Sequence, residues 1–389
     1  MKKEEEQIIN ILNKINKSDW KKVEFGDIAF NISEHVEPNN TDAEIYVGLE
    51  HLDSNSIHIR RTGVPSDVEG VKLKVYKGDV IFGKRRAYQR KASVANFDGI
   101  CSAHSMVLRA NPEIIDIKFF PFFIHSDIFM NKAIDISEGS LSPTIKWKTL
   151  SKQKFFIPPL KIQEKLANIL WSVDELENKQ FNLIEEKRIF KKILTNDLLT
   201  NGIKPKKNVG NWPMVKIGDV TTLIKKRSKV GEHPYIEIGD IDIDSKCYSF
   251  KDKKSVVGCL YAEKNNIIIS KVRPTRGAIS FIKEDILVVS GAFSVLEINK
   301  FKLDPRYLFL ILYDNNNFFN YLGIRSTGTT YPTCSDNDIL EFKIPLPSMD
   351  AQTEISDILS TFDKDINETI SMMKLTHELK FSIINTILK

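Results

Sequence analysis

Two long segments of the chain carry apolar side chains at steps of three and four residues. In the first segment these are Ile162, Leu166, Ile169, Val173, Leu176, Leu183, Phe190 and Leu194. In the second they are Ile355, Leu359, Phe362, Ile366, Ile370, Met373, Ile384 and Ile387, with Thr376, His377 and Lys380 interrupting the series. No proline or glycine occurs within 161–199 or 351–388. This period of seven predicts two long helices that pair in a left-handed coiled coil.

The residues in front of each predicted helix follow a different pattern. Segments 20–159 and 212–347 contain short β-branched and aromatic runs, turns of Gly, Asn, Asp and Pro, and helix-like stretches at 117–134 and 305–322. The mixture predicts a globular α/β domain before each helix. The predicted fold class is therefore mixed α+β, with two α/β globular domains separated by two long antiparallel coiled-coil helices. An alternative is that each helix folds back along its own domain, although about 39 helical residues would span roughly 58 Å.

The two halves of the chain repeat each other. Four blocks recur in the same order: 20–30 with 212–222, 78–97 with 265–282, 139–159 with 328–347, and 160–179 with 348–367. The third block contains Gly, Pro and Thr at matching positions, and the fourth shares a Gln, an Ile-Leu pair and an Asp. The order of these blocks indicates a duplication with approximate two-fold symmetry.

The repeat also predicts the domain boundaries. A stretch near the N-terminus, Ile8–Asn16, resembles 190–202, because each precedes a tryptophan that opens a half. We therefore expect the N-terminal segment to fill the place beside the C-terminal helix that 190–202 fills in the other half. The predicted parts are a short helix at 1–17 that completes a cyclic repeat, a globular domain at 18–159, a long helix at 160–202, a globular domain at 203–347 and a long helix at 348–389.

Composition narrows the class of protein. The chain has 389 residues, 42% of them hydrophobic and 28% charged, with a net charge of +5. No apolar run approaches eighteen residues, so we expect no membrane span. The N-terminus lacks the apolar segment of a signal peptide, and the four cysteines are scattered without metal-ligand spacing. Both features favour a cytoplasmic protein without disulfides.

Motifs for catalysis are missing from the sequence. We find no Gly-rich dinucleotide loop, no phosphate-binding loop of the Walker type and no Asn-Pro-Pro-aromatic motif of an amino-methyltransferase. The seven histidines form no H-x-x-x-H pair. The segment 263–271 could be fitted to a nuclease pattern, but its isoleucines are more typical of a buried strand. We therefore predict no catalytic residue and no metal site.

Basic residues cluster at equivalent places in both halves. Arginine pairs with guanine through two N–H groups, while lysine mainly neutralises phosphate. A basic turn between two strands can extend such groups into a DNA groove, although it can also be a solvated turn. The candidates for DNA binding are Lys84, Arg85, Arg86, Tyr88, Arg90 and Lys91 in the first half, and Lys225, Lys226, Arg227, Lys271, Arg273 and Arg276 in the second.

The repeated Gly-[Ser/Thr]-x-x-Pro-Thr block offers a second set of candidates. Hydroxyl groups can donate to phosphate oxygens, and basic residues lie close by in sequence. The DNA-binding candidates here are Thr144, Lys146, Arg325 and Thr333. The alternative, which we favour, is that the block is a structural loop that joins each domain to its helix.

Together these blocks resemble the specificity subunits of type I restriction–modification systems over essentially the whole chain. The motifs that carry the resemblance are the Trp-x-x-Val-x-x-Gly-Asp entry, the Gly-[Ser/Thr]-x-x-Pro-Thr turn, the Ile-Pro strand end and the Gln-x-x-[Leu/Ile] helix start. Their residues include Trp20, Val23, Gly26, Asp27, Gln163 and Leu166, and in the second half Trp212, Val215, Gly218, Asp219, Gln352 and Ile355. The second helix start is two residues longer than the first.

The resemblance implies a role in DNA recognition. The two globular domains would be target-recognition domains that each bind half of a bipartite, asymmetric sequence, and the helices would set the spacing and dock the modification subunits. Implied partners are double-stranded DNA, two modification (methyltransferase) subunits and restriction (translocase and nuclease) subunits. S-adenosylmethionine, ATP and magnesium would be bound by those partners, with no cofactor and no active site in this chain. Trp171, Phe181 and Ile189 are candidate contacts for the modification subunits, with a place in the coiled-coil seam as the alternative.

Two other interpretations of the sequence stay open. One is a helical scaffold that joins two protein-binding domains and does not bind DNA. The other is a cryptic metal-dependent nuclease.

Overall fold

The structure, a computed structural model, describes residues 17–200, 212–228, 233–243, 245–250, 258–313 and 315–388. Apart from Lys17, the short helix predicted for 1–17 lies outside these residues. The chain divides into two compact units, 1–182 with 370–389, and 183–369. Each unit therefore contains one globular domain and a part of each long helix.

The first domain is built on two four-stranded sheets. These have the strand orders β2-β9-β6-β7 and β3-β5-β8-β4, and a separate pair, β1-β10, brings the two ends of the domain together. The strands are β1 Lys21–Glu24, β2 Ala29–Ile32, β3 His35–Val36, β4 Tyr46–Val47, β5 Lys72–Val75, β6 Val80–Gly83, β7 Ala92–Val94, β8 Gly99–Cys101, β9 Ser105–Ala110 and β10 Lys154–Ile157. The helices are α1 Phe25–Ile28, α2 Phe120–His125, α3 Asp127–Asp135 and α4 Trp147–Leu150, followed by the long helix α5, Leu160–Thr200.

The second domain repeats this topology, with one strand fewer in its second sheet among the described residues. Its sheets have the orders β12-β18-β15-β16 and β13-β17-β14, and the pair β11-β19 joins its ends. The strands are β11 Met214–Lys216, β12 Thr221–Leu223, β13 Tyr235–Ile236, β14 Leu260–Glu263, β15 Ile267–Ser270, β16 Ile279–Phe281, β17 Ile286–Val289, β18 Phe293–Ile298 and β19 Lys343–Pro345. The helices are α6 Ile217–Val220, α7 Pro305–Tyr313, α8 Asn316–Arg325 and α9 Asp336–Leu340, followed by the long helix α10, Met349–Leu388.

The two domains fill their cores with different side chains. In the first, Phe25 lies 5.1 Å from Phe129 and Phe123 lies 5.2 Å from Phe155 between ring centroids. In the second, the equivalent core is mostly aliphatic and includes Ile267, Ile269, Leu308 and Ile311. The mixed α/β fold and the internal repeat predicted from the sequence are confirmed.

Both long helices contribute to the core of each unit. In the first unit, Leu166 and Leu170 from the start of α5 join Ile384 and Ile387 from the end of α10. In the second unit, Ile355 and Leu359 from the start of α10 join Leu198 from the end of α5. The first turns of each helix therefore pack on the domain that precedes it, as predicted by the alternative in which each helix folds back along its own domain. Each helix then continues into the other unit.

The heptad period predicted for α5 is confirmed, but its predicted phase is wrong by one residue. Four predicted seam residues, Ile169, Leu176, Leu183 and Phe190, are 41, 50, 42 and 54% exposed. The predicted Leu166 is buried, but the other buried positions are Gln163, Ala167, Leu170, Asp174, Ile184, Lys191 and Leu198. On α10, Thr376 and Lys380 belong to the buried series and do not interrupt it. A seam that contains charged residues cannot be located from apolar residues alone.

One buried glutamine fixes the start of each long helix to its domain. The side chain of Gln163 accepts a hydrogen bond from the Asp116 N–H at 2.8 Å and donates to the carbonyls of Ile114 at 3.0 Å and Pro158 at 2.7 Å. The side chain of Gln352 makes the equivalent bonds with Asp304 at 2.7 Å, Lys302 at 3.0 Å and Pro347 at 2.9 Å. Both side chains are 0% exposed, so the three bonds satisfy groups that water cannot reach.

A buried lysine paired with an aspartate joins the two helices in each unit. Lys380 of α10 lies 2.7 Å from Asp174 of α5 in the first unit, and Lys191 of α5 lies 2.5 Å from Asp363 of α10 in the second. The two pairs occupy matching positions of the repeat. Residues farther along α5 contact residues nearer the start of α10. In the second unit, for example, Lys187 contacts Asp365 and Phe190 contacts Phe362. The helices are therefore antiparallel in each unit, as predicted.

The first unit extends its pair into a charged cluster. Lys380 also lies 2.6 Å from Glu177, and the ring nitrogens of His58 and His377 lie 2.6 Å from Asp174 and 2.9 Å from Glu177. Burial pushes the pKa of Asp174 up, but the hydrogen bond with His58 and the charge of Lys380 outweigh it, so this pKa lies below its ordinary value. His377 and Lys380 lower the pKa of Glu177 in the same way against the effect of burial.

We predict that Lys380→Met lowers the free energy of unfolding by about 3–5 kcal/mol at pH 7, because the buried Asp174 and the half-buried Glu177 lose their cation. Both carboxyl groups have lowered pKa values in the folded wild type. Their contribution to the free energy of unfolding is therefore complete above the ordinary pKa values of 3.8 and 4.5, and it is lost as pH falls through the pKa values of the folded state. The difference between variant and wild type should therefore shrink below about pH 4.

Urea denaturation from pH 7 to pH 3 measures this difference. Lys374→Met, at an exposed position of α10, is the matched control and should cost less than about 0.5 kcal/mol. Equal losses in the two variants would contradict the role of the cluster.

Candidate nucleic-acid interface

The basic run of each half forms a turn of the same shape. Strand β6 leads through Arg86, at φ 57°, into a 3-10 turn at Ala87–Gln89. Strand β15 leads through Arg273, at φ 48°, into a 3-10 turn at Pro274–Arg276. A left-handed backbone is costly for any residue with a Cβ atom, so two arginines at this place carry a strain that glycine would avoid.

The Gly-x-x-x-Pro-Thr block of each half forms a closed loop. Glu138 and Thr144 exchange both of their backbone hydrogen bonds, at 3.0 and 2.9 Å, and Thr327 and Thr333 do the same in the second domain. Gly139 and Gly328 lie just inside these loops at φ 111° and 95°. The loops need glycine there, because other residues rarely adopt this conformation.

The turn and the loop are joined into one structure in each domain. The Arg86 N–H donates to the Pro143 carbonyl at 2.7 Å, and the Arg273 N–H donates to the Pro332 carbonyl at 2.7 Å. A second bond runs from Ile145 to Lys84 at 2.9 Å, and its counterpart runs from Cys334 to Lys271 at 3.0 Å. We call each assembly a loop module, formed by 84–90 with 138–145 in the first domain and by 271–277 with 327–334 in the second.

Four of the predicted residues line the surface of the first loop module. Arg86 is exposed and its Nε donates to Ser142 Oγ at 3.3 Å, while Tyr88 is 54% exposed. Arg85 Nη1 lies 3.3 Å from His104 Nε2. Lys146 is exposed and pairs with Glu138 at 2.7 Å.

Three other predicted residues of the first half are held inside the domain. Arg90 pairs with Asp127 at 2.9 Å and donates to Asn55 and to the His125 carbonyl. Lys91 Nζ donates to the Leu49 carbonyl at 2.6 Å. Lys84 is half-buried, and this burial lowers its pKa. These contacts of Arg90 and Lys91 stabilise the domain, so we do not include the two residues in the candidate DNA interface.

The second loop module presents a different set of side chains. The Arg273 guanidinium lies 4.3 Å from the Tyr331 ring centroid and donates to the Thr330 carbonyl at 3.0 Å. Arg276 is exposed, and Lys271 pairs with Asp336 at 3.1 Å.

Two further groups of predicted residues flank this second module. Arg325 is exposed at the end of α8, and its guanidinium lies 3.7 Å from the Tyr321 ring centroid. Lys225, Lys226 and Arg227 are exposed after β12. Lys225 and Arg227 line a cleft of about 240 Å³ together with Lys271. The structure thus brings two basic runs that are distant in sequence to one place.

The loop threonines use their hydroxyl protons inside the loops. Thr144 Oγ1 donates to the Ser142 carbonyl at 3.1 Å, and Thr333 Oγ1 donates to the Tyr331 carbonyl at 2.9 Å. These bonds stabilise each loop internally, so the hydroxyl protons are already used within the loop. The sequence analysis missed His104 and Tyr331, which contact Arg85 and Arg273. A basic run in the sequence does not show which residues its arginines contact in the fold.

Two of the three side chains suggested for docking modification subunits contact their own unit. The Trp171 Nε1–H donates to the Lys118 carbonyl at 2.9 Å and its ring lies 5.3 Å from Phe122. The Phe181 ring centroid lies 4.1 Å from the Arg60 guanidinium. Ile189 is 60% exposed and stays a candidate.

Neither a metal cluster nor a membrane-spanning helix is found in the part of the chain that the structure describes. No group of three or more His, Cys, Asp or Glu side chains there could hold a metal ion. Among the same residues, no helix is long and apolar enough to cross a membrane.

Comparison with known families decides the class of the chain. The model of the family described as type I restriction modification DNA specificity domain matches residues 17–186 and again residues 209–372. The chain belongs to this family. Each match contains one complete loop module, so both modules are parts of DNA specificity domains.

Three curated specificity subunits of type I restriction enzymes are similar to parts of the chain. The EcoDI subunit of Escherichia coli is 26% identical over 152 residues, which is 39% of this chain and 34% of that protein. The HindI subunit of Haemophilus influenzae is 30% identical over 108 residues, or 27% and 23%. The MjaVIII subunit of Methanocaldococcus jannaschii is 23% identical over 280 residues, or 65% of each. The matched regions therefore span less than two thirds of these relatives.

Two solved structures share the fold over nearly the whole chain. The type I restriction-modification S subunit from M. genitalium gives a TM-score of 0.57 at 15% identity, covering 97% of this chain and 98% of that one. A chain solved in work on complex assembly and conformational transition of the type I R-M system gives 0.55 at 18% identity, covering 96% and 98%. At these identities the likeness concerns the fold alone.

We predict that Arg86→Gly raises the free energy of unfolding by about 0.5–1 kcal/mol, because glycine adopts the left-handed backbone of this position without strain. Arg276→Gly is the matched control, since its backbone has no positive φ, and it should lower that free energy by a similar amount. Thermal and urea denaturation measure both variants. Changes of the same sign would show that Arg86 carries no backbone strain.

Proposed function

We propose that this chain is the DNA sequence-specificity subunit of a type I restriction–modification complex. Each globular domain would be a target-recognition domain that binds one half of a bipartite, asymmetric site in double-stranded DNA. The observation that carries the proposal is the double match to the DNA specificity domain family, with one loop module in each match. The chain itself would be non-catalytic and would act in the cytoplasm, within a holoenzyme that is a site-specific deoxyribonuclease.

The charges of the loop modules support contact with DNA. An exposed arginine lies on each module, Arg86 on the first and Arg276 on the second, and the cleft in the second domain adds Lys225 and Arg227. Such groups neutralise phosphates and release counterions, which supplies most of the affinity of proteins for DNA. The two modules share a backbone but differ in their side chains, which suits one asymmetric site with two unlike halves.

The long helices supply a surface for partner subunits. In the first unit Ile169, Leu176 and Met372 are 41, 50 and 53% exposed, and in the second unit Ile189 and Ile193 are 60 and 55% exposed. Apolar side chains repeated along an exposed helix face are typical of protein interfaces. In our proposal two modification subunits dock here and restriction subunits join them. These partners would bind S-adenosylmethionine, ATP and magnesium.

DNA binding by the full chain, alone and co-purified with a modification subunit, tests the proposal. The probe is a duplex of random sequence, and its affinity is measured between 50 and 300 mM salt. Contacts to at least four phosphates predict a slope of log affinity against log salt of about −4 or steeper. A slope near zero would favour the protein-binding scaffold. Magnesium-dependent cleavage by the chain alone would favour the cryptic nuclease.

We also predict that the helices set the spacing between the two half-sites. Seven residues added to both helices, after Asn182 in α5 and after Thr369 in α10, keep the phase of the buried seam and lengthen each helix by about 10 Å. The preferred spacer should grow by about three base pairs at 3.4 Å each.

Mapping of methylated adenines in cells that express the variant with the modification subunit measures the spacer. The same insertion in α5 alone is the control, because it displaces the lysine–aspartate pairs and should lower the melting temperature without creating a new spacer. An unchanged spacer in the stable double-insertion variant would rule out this role of the helices.

A further inference from the structure

The two loop modules carry some basic residues in common and others separately. When the two turns are aligned by their backbone hydrogen bonds, Lys84 is equivalent to Lys271 and Arg86 is equivalent to Arg273. The same alignment places Arg85 with Val272 and Gln89 with Arg276. Each module therefore has one shared arginine and, apart from Arg90, which pairs with Asp127 inside the domain, one arginine without a counterpart.

The shared arginines occupy fixed and equivalent places. Both have the left-handed backbone, and both donate their N–H to the proline carbonyl of the neighbouring loop. Their side chains also contact that loop, through Ser142 Oγ for Arg86 and through the Thr330 carbonyl and the Tyr331 ring for Arg273. A group held in the same place in two unlike domains cannot distinguish two unlike half-sites. It is suited to the feature that both half-sites share, which is the phosphate backbone.

Both unshared arginines keep at least two N–H groups available for a ligand. Arg85 contacts His104 through Nη1 alone. Burial, together with the charges of Arg85 and Lys84, lowers the pKa of His104, so this ring is neutral at pH 7 and leaves the Arg85 charge uncompensated. Within the described residues, the Arg276 guanidinium makes no hydrogen bond or ion pair. A guanidinium with two free N–H groups can bind guanine O6 and N7 together.

Resting on the function proposed above, we infer a division of labour within each module. Arg86 and Arg273 bind the DNA backbone without regard to sequence, whereas Arg85 and Arg276 recognise bases, each in a different half-site. Guanine is the base that this chemistry selects.

Arginine-to-lysine variants of the full chain separate the two roles. Lysine keeps the positive charge but cannot form the two-fold contact with guanine. The probe is a library of duplexes with 30 random base pairs, selected by the chain co-purified with a modification subunit and then sequenced. The variants are Arg85→Lys and Arg276→Lys, with Arg86→Lys and Arg273→Lys as matched controls from the same turns.

We expect Arg85→Lys to reduce the preference for guanine at one position of one half-site by about tenfold or more, and Arg276→Lys to do so in the other half-site. The two controls should leave every base preference unchanged. Arg86→Ala and Arg273→Ala should weaken binding to all sequences alike and make the salt slope shallower by about one.

The inference is overturned if Arg85→Lys and Arg276→Lys select the wild-type sequence, or if either control changes a base preference. Both outcomes leave the proposed function intact, since the wild type still selects a bipartite site. If the wild type selects no sequence and binds without salt dependence, the proposed function itself fails and this inference fails with it. Melting temperatures equal to that of the wild type confirm that each variant is folded.

Discussion

The arrangement of this protein depends on a lysine of one long helix that lies buried against an aspartate of the other. The contact occurs in both units, as Lys380 with Asp174 and as Lys191 with Asp363. Removing two charges from water costs several kcal/mol, and only the partner charge at the right level offsets that cost. A shift of either helix by one turn would leave buried charges unpaired. The pairs therefore restrict the alignment of the helices more strictly than apolar side chains, which tolerate many partners.

The loop modules combine a constant backbone with variable side chains. Two strained arginines and two prolines form the same connections in domains whose cores differ, one aromatic and one aliphatic. In the proposed DNA interface, the backbone would determine where side chains approach the duplex, while the sequence at the flanking positions determines which groups are presented. A duplicated protein can therefore present two different surfaces without changing its frame.

The sequence was sufficient for the helices, the repeat and the family, because each depends on spacing along the chain. It was insufficient for the phase of α5, since Asp174 and Lys191 lie in the seam where a pattern search expects apolar residues. It could not separate Arg86 from Arg90 either. The two lie four residues apart in one basic run, yet Arg86 is exposed and Arg90 pairs with Asp127. Only tertiary contacts distinguish a surface cation from one that stabilises a domain.

The short ladders β1–β10 and β11–β19 have a consequence for how such a chain can diversify. The residues where the chain enters and leaves each domain are hydrogen-bonded neighbours, such as Lys21 with Ile157 and Met214 with Pro345. Everything between them is an insert on a two-stranded stem, and a replacement insert keeps the helix behind it in place only if it again supplies the N–H and carbonyl that Gln163 or Gln352 bonds. Gene segments exchanged at the stems would then act as whole cassettes wherever these bonds are made again.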